Sequence, residues 1–298
     1  MKKKIGIILG SIILLIIIIF IIYKNINKDE NINDNKLHIV TSFYPIYIMT
    51  LNITNGIENV EVSNMASEFS GCIHDYTLTT SDLKKFEEAD IFVENGFGME
   101  SFSQKIIETY PEIKVIESGK QITDYIYEDE ENINAHFWTS IDNYILQVKE
   151  ISNELDKIDN TNIEKYKENE NKYINKLEEL KKEYNEKLKN IKETQVLSLN
   201  ESFSYLLKFA GIDEILIQTD HEQNSLSAET IRNVINTMNE KNIKAIIIEQ
   251  NDDEQNANTI ANETGAKIYR LKDCMSGDNT LDSYINTMKE NLETLVNM

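Results

Sequence analysis

The stretch from residue 160 to residue 192 constrains the fold more than any other part of this sequence. It is highly charged, contains no Gly or Pro, and carries apolar residues mostly at steps of three, four or seven, the spacing of one narrow stripe on a long helix. The stripe consists of Ile163, Tyr166, Tyr173, Ile174, Leu177, Leu180, Tyr184, Leu188 and Ile191. Glu and Lys residues four apart, such as Glu168 and Lys172, keep the other faces solvated.

A coiled-coil partner for this helix is disfavoured by its surroundings. The stripe is interrupted at Glu170, and the flanking segments do not repeat in heptads. On both sides, short apolar runs alternate with helical patterns, which is typical of α/β folds. We therefore predict a long rigid helix that joins two α/β halves.

The predicted strands repeat the same layout before and after the long helix. They cover residues 37–41, 60–64, 91–94 and 113–117 in the first half, and 195–199, 214–218, 245–249 and 266–271 in the second. Helical patterns separate them, which predicts one parallel sheet in each (βα)4-like lobe. The predicted segments are residues 1–36, 37–156 (first lobe), 157–194 (linking helix) and 195–298 (second lobe).

The amino terminus predicts a membrane anchor. Lys2, Lys3 and Lys4 precede an uncharged run from residue 5 to residue 23, which is long enough to span a bilayer as a helix. No small-residue cleavage site follows it and no Cys lies near its end, so an uncleaved anchor is favoured over a signal peptide or a lipid anchor. The lysines should stay in the cytoplasm, which places the rest of the chain outside it, on a tether of residues 25–36.

Charge excludes one class of partner. The 298 residues carry a formal net charge of -21, and Arg232 and Arg270 are the two arginines. Because nothing in such a chain would neutralise a row of phosphates, we expect no binding to nucleic acid. Solubility of a surface protein is the simplest explanation for most of the acidic charge.

Two of the four histidines fall in loops that lead into helices of the first half. His74 follows the second predicted strand, and His136 follows an acidic loop at residues 128–131. Open α/β sheets bind ligands at the carboxyl ends of their strands. The two imidazoles are therefore candidates for one shared site, whereas His38 and His221 are interpreted as a strand residue and a surface residue.

From residue 37 to residue 296 the chain resembles a known family. The ordered landmarks are residues 39–45, 74–76, 81–83, 89–93, 95–96, 98–100, 135–138, 202–206 and 263–266. Together they are similar to the metal-binding receptors of bacterial zinc and manganese ABC importers, the cluster A-I or TroA-like (ZnuA-like) solute-binding proteins. The resemblance implies two lobes that hold one divalent metal in the cleft between them.

By position, the resemblance maps the metal ligands onto His74, His136, Asn200 and Asp273. Asn200 departs from the family pattern, which has His or Glu at that place. An amide carbonyl is a neutral and weaker donor, so the resemblance implies weaker binding unless another group enters the coordination shell. Glu201, the next residue, is one candidate.

The same mapping brings the two cysteines, Cys72 and Cys274, toward the cleft. As thiolates they would favour Zn²⁺ over Mn²⁺, and as a disulfide they would lock the lobes together. The third reading is two unrelated buried residues, because free Cys packs as a small hydrophobe. The sequence leaves all three open, with the third slightly favoured.

The resemblance implies a receptor at the cell membrane that captures Zn²⁺, or alternatively Mn²⁺, outside the cytoplasm. It would deliver the metal to an ABC permease, act as a monomer and carry out no catalysis. A metal-dependent hydrolase is the main alternative, although the sequence has no HExxH pattern, nucleophile elbow or phosphate loop. An adhesin, or a degenerate receptor with another ligand, is the third.

Overall fold

Two four-stranded parallel sheets frame the computed structural model, which describes residues 36–298 other than 68, 70, 72, 129–131, 192–193, 218–225 and 253. The first sheet contains β1 (Leu37–Thr41), β2 (Val60–Asn64), β3 (Ile91–Glu94) and β4 (Lys114–Glu117). The second contains β5 (Gln195–Ser198), β6 (Asp213–Leu216), β7 (Ala245–Glu249) and β8 (Lys267–Leu271). Their strand orders are β2-β1-β3-β4 and β6-β5-β7-β8, so the predicted repetition of one layout is confirmed.

Helices connect the parallel strands, as is usual for parallel sheets. They are α1 (Tyr44–Thr54), α2 (Thr80–Lys84), α3 (Ser103–Thr109), α4 (Ile141–Ile158), α5 (Ile163–Lys187), α6 (Ser204–Ala210), α7 (Ala228–Lys241), α8 (Gln255–Thr264) and α9 (Ser283–Val296). Within the described part of the chain, none of the helices is both long and apolar enough to cross a membrane. The predicted anchor at residues 5–23 and the tether up to residue 35 lie outside the described residues.

Helix α5 is the predicted linking helix, shorter at both ends than the sequence pattern suggested. It packs against α1 and α4 of the first half and α9 of the second. Asn169 lies in the gap between Tyr166 and Tyr173 in the apolar stripe of α5. The residue is 5% exposed, and its amide donates to the carbonyls of Ile53 and Asn55 at 2.9 and 2.8 Å. Toward the other end, the hydroxyl of Tyr184 donates to the carbonyl of Met288 in α9. The helix therefore contacts both halves along its length.

One hydrophobic cluster runs from the first sheet through the inner face of α5 to the second sheet. It includes Ile39 and Phe92 on the first side, Leu177 on α5, and Ile247 and Leu271 on the second side. Residues Leu37–Met298 accordingly form one compact unit. The lobe boundaries drawn from the sequence stay a prediction, and "lobe" below denotes the part of this unit built on each sheet.

Truncating the buried face of α5 should destabilise the whole unit. Leu177 is fully buried, so we expect Leu177→Ala to lower the free energy of unfolding by about 2–5 kcal/mol through lost burial and a residual cavity. Urea denaturation followed by circular dichroism would measure it. The exposed neighbour Glu178 is the control, with an expected change within about 0.5 kcal/mol for Glu178→Ala. Equal effects of the two substitutions would contradict this account of α5.

Candidate metal site

The carboxyl ends of the strands in both sheets carry the residues that the sequence singled out. His74 lies in a single 3₁₀ turn, Ile73–Asp75, in the loop after β2, and His136 directly precedes the 3₁₀ turn Phe137–Thr139 in the segment after β4. Asn200 follows β5 and Asp273 follows β8. The parallel order places each pair at the carboxyl edge of its own sheet.

The structure brings His74 and His136 together and adds Glu128. One potential ligand atom from each of these three side chains lies within 4.8 Å of the other two. Among the described residues, this is the one cluster of three or more His, Cys, Asp or Glu side chains that are close enough to share a metal ion. The imidazole ring centroids of His74 and His136 are 5.6 Å apart at 59°. Two imidazoles and one carboxylate form a suitable donor set for Zn²⁺, which also uses two His and one Glu where a further position stays open.

Glu128 reaches this group because the residues on either side of the acidic loop pair with each other. Tyr127 pairs with Ile133 in an antiparallel bridge, the N–H of Glu128 donates to the carbonyl of Asn132 at 2.9 Å, and Asn134 N–H donates to the carbonyl of Ile126 at 2.9 Å. The acidic loop is evident in the sequence, but Glu128 was not among the predicted ligands. The signal that the sequence offered for Glu128 was its position in the acidic loop ahead of His136.

His136 is held rigidly from several sides. It is 2% exposed, and its ring centroid lies 5.2 Å from that of Trp138. The indole N–H of Trp138 donates to the main-chain carbonyl of Asp273 at 2.7 Å, and the hydroxyl of Tyr284 donates to the carbonyl of Trp138 at 2.9 Å. The loop that carries Asp273 is thereby tied to the segment that carries His136.

A buried carboxyl supports the same segment from inside the first lobe. Glu100 accepts from the N–H groups of Asn95 and Gly96 at 2.7 and 3.1 Å, and the Asn95 amide donates to the carbonyl of Ala135 at 3.0 Å. Burial, reinforced by the neighbouring Glu94, raises the pKa of Glu100 to about 8. The hydrogen bonds around Glu100 thus fix the backbone next to His136.

Asp273 does not belong to the group of three. Its Oδ1 accepts from the N–H of Met275 at 2.9 Å. Burial raises the pKa of Asp273, and the nearby charge of Asp252 adds to the effect. Burial, followed by Asp273 and Asp252, raises the pKa of Glu249 to about 7. These carboxyls form an acidic environment that a cation would stabilise.

Asn200 and Glu201 also lie outside the group of three. The Oδ1 of Asn200 accepts from the N–H of Ser202 at 2.9 Å, and its Nδ2 lies 3.4 Å from Oδ2 of Asp252. The amide therefore caps the turn Glu201–Phe203. Glu201 is buried, and its charge helps to raise the pKa of Glu214 after the larger effect of burial. The assignment of either residue as a metal ligand stays a prediction.

Cys274 is not part of the group of three. Cys72, and His221 with its predicted surface position, lie outside the described residues. Cys274 is a free, buried thiol whose Sγ is 4.0 Å from the carbonyl of Lys272, and burial raises its pKa well above the usual value. A protonated thiol packed in the core is a poor metal ligand, so Cys274 fits the interpretation as a small buried residue.

Comparison with protein families agrees with this geometry. The model of the ZnuA family, described as "Zinc-uptake complex component A periplasmic", matches residues 39–298. The chain belongs to the ZnuA family. This membership confirms the family predicted from the sequence and the expectation of a metal-uptake component rather than an enzyme.

Individual relatives of this ZnuA-family chain include zinc and manganese proteins. It is 28% identical to the high-affinity zinc uptake system protein ZnuA of Bacillus subtilis over 88% of this chain and 87% of that protein. It is 25% identical to the manganese-binding lipoprotein MntA of Halalkalibacterium halodurans over 75% of this chain and 76% of that protein. Among solved structures, FpvC of P. aeruginosa in complex with Ni²⁺ matches with a TM-score of 0.78 and 26% identity, over 88% of this chain and 96% of FpvC.

Proposed function

We propose that this chain is an extracytoplasmic receptor that captures a divalent transition metal, Zn²⁺ first and Mn²⁺ second, and delivers it to an ABC importer. The observation that carries the proposal is the convergence of His74, Glu128 and His136 within 4.8 Å. The relatives named for zinc and manganese uptake support the same substrate class.

The ligand types favour Zn²⁺ over Mn²⁺. Imidazole suits Zn²⁺, whereas Mn²⁺ prefers carboxylate and carbonyl oxygens. Glu128 supplies the anionic oxygen that Asn200 lacks, and it offsets part of the metal charge. Glu128 is therefore our proposal for the third ligand, in place of the amide at position 200.

Asp273 is our proposal for the fourth ligand, as the family resemblance implied. Its backbone is already tied to Trp138 beside His136, and a nearby positive charge would stabilise its buried carboxylate. Because α5 and the shared core connect both lobes, a small shift of the Asp273 loop is the motion that such a fold permits.

We further propose how the receptor is anchored, on which side of the membrane it lies and which partner it has. Residues 5–23 anchor it in the membrane and residues 25–36 tether it, with the metal site outside the cytoplasm. The partner is an ABC permease in the same membrane, and the receptor acts as a monomer. The lipoprotein relative supports anchoring in general, and the uncharged amino-terminal run supports a helix as the anchor.

Metal content and competition binding test the proposed function. The full chain, purified in detergent and stripped with a chelator, would be titrated with Zn²⁺ and Mn²⁺ by calorimetry, and bound metal counted by elemental analysis. We expect one tightly bound equivalent of Zn²⁺ and displacement of Mn²⁺ by Zn²⁺. Failure to bind either ion tightly would contradict the proposal.

A further inference from the structure

Asn134 joins the two lobes directly behind His136. It is 1% exposed, and its Nδ2 donates to the main-chain carbonyl of Glu201 in the second lobe at 2.9 Å. Its Oδ1 accepts from the main-chain N–H of His136 at 3.0 Å and lies 3.0 Å from Nδ1 of the same imidazole. A single side chain therefore contacts a proposed metal ligand and the opposite lobe.

These partners determine how the Asn134 amide is oriented. A main-chain carbonyl can only accept, so the NH₂ group of Asn134 must face Glu201. A main-chain N–H can only donate, so Oδ1 must face His136. Both requirements give the same orientation of the amide, which leaves an acceptor opposite Nδ1 of the His136 ring.

The amide orientation in turn selects the tautomer of His136. Because Oδ1 has no proton to give, Nδ1 of the neutral ring must carry the hydrogen, and Nε2 then carries the lone pair. A metal binds the nitrogen that has the lone pair. Water does not readily replace this hydrogen bond, since Asn134 and His136 are both almost fully buried.

We propose that Asn134 is a positioning residue for metal binding, which holds His136 in the tautomer that presents Nε2 to the metal and is itself held by the Glu201 carbonyl of the second lobe. The proposal rests on the proposed function, because it assumes that His136 binds metal. While the lobes are in contact, His136 keeps Nε2 available to the metal. Separation of the lobes at Glu201 frees the Asn134 amide to turn away from the imidazole. Ligand-orienting partners of this kind change metal affinity about 10–100-fold.

Nitrogen NMR of the histidine rings tests the proposal on the full chain in detergent. The sequence has four histidines, so selective ¹⁵N labelling gives few signals, and His136→Gln assigns the one in question. Spectra would be recorded without metal, well above the usual histidine pKa of about 6.5. Zn²⁺ affinity would be measured on the same samples by competition with a chelator.

Three substitutions separate the roles of the amide. Asn134→Ala should give a mixture of His136 tautomers and about 10–100-fold weaker Zn²⁺ binding. Asn134→Asp keeps an acceptor for Nδ1 but loses the donor to the Glu201 carbonyl, so it should retain more of the Nδ1–H tautomer than Asn134→Ala. Asn169→Ala is the matched control, because it also removes a buried amide that donates to main-chain carbonyls, and it should change neither the tautomer nor the affinity.

The possible results are distinguishable. An Nε2–H tautomer in the unsubstituted protein overturns the proposal even if Asn134→Ala fails to fold. Weaker binding in Asn134→Ala without a change of tautomer also overturns it. Absence of Zn²⁺ binding in the unsubstituted protein would instead refute the proposed function, while the metal-free spectra would still report on Asn134.

Discussion

Replacing either His74 or His136 by Ala should remove high-affinity metal binding. Each substitution deletes one of the two imidazoles whose ring centroids lie 5.6 Å apart. Changes in the groups that merely orient a ligand cost about 10–100-fold in affinity, so we expect the loss of a ligand itself to exceed about 100-fold. Calorimetric titration with Zn²⁺ would measure the loss.

His38 supplies the matched control for these variants. It lies in β1, near the amino end of the strand and away from the carboxyl edge that carries the site. His38→Ala removes an imidazole from the same lobe and should leave Zn²⁺ affinity unchanged. If His38→Ala weakened binding as much as His74→Ala, the location of the site would be wrong.

Removing the charge of Glu128 is the second change with a large expected effect. Glu128→Gln keeps the size of the side chain but replaces the carboxylate in the group of three with a neutral amide. We expect at least about tenfold weaker Zn²⁺ binding, comparable with the loss of an orienting partner or larger. Mn²⁺ binding should weaken more than Zn²⁺ binding, because Mn²⁺ depends more on oxygen ligands.

Two variants show whether this effect belongs to Glu128 itself. Glu112→Gln removes the same charge from an exposed position just before β4, at the amino edge of the first sheet, and should have no effect on affinity. Asn200→Ala should also have little effect, because we propose Glu128 as the third ligand and the Asn200 amide caps the turn Glu201–Phe203. A large loss in Asn200→Ala together with a small loss in Glu128→Gln would reverse the assignment of the third ligand.

The sheets were predictable because their central strands are short, mostly buried apolar runs. Ala245–Glu249, for example, contains Ile246, Ile247 and Ile248 in succession, all buried, as is typical of a central parallel strand. The long helix was predictable from its stripe, but not its ends. Helix α5 begins at Ile163 and stops at Lys187, where the turn Leu188–Asn190 follows.

The site was predictable only in part, because its ligands depend on contacts between distant segments. His74 and His136 could be identified because histidines are rare in this chain and these two follow predicted strands. The distance between them in the folded protein could not be predicted. The position of Glu128 depends on the pairing of Tyr127 with Ile133, and no local pattern in the sequence indicates that pairing. Asn200 occupies a ligand position in the chain, whereas its amide is used to cap a turn, a distinction that the sequence does not reveal.

The position of the metal in the folded protein tests the central claim most directly. Crystals of the Zn²⁺-loaded chain would be measured at the zinc absorption edge, so that the anomalous signal locates the metal. The account predicts one strong peak within coordination distance, about 2.0–2.2 Å, of His74, Glu128 and His136. A peak among the carboxyls of Glu249 and Asp252 instead, with none between the two histidines, would contradict it.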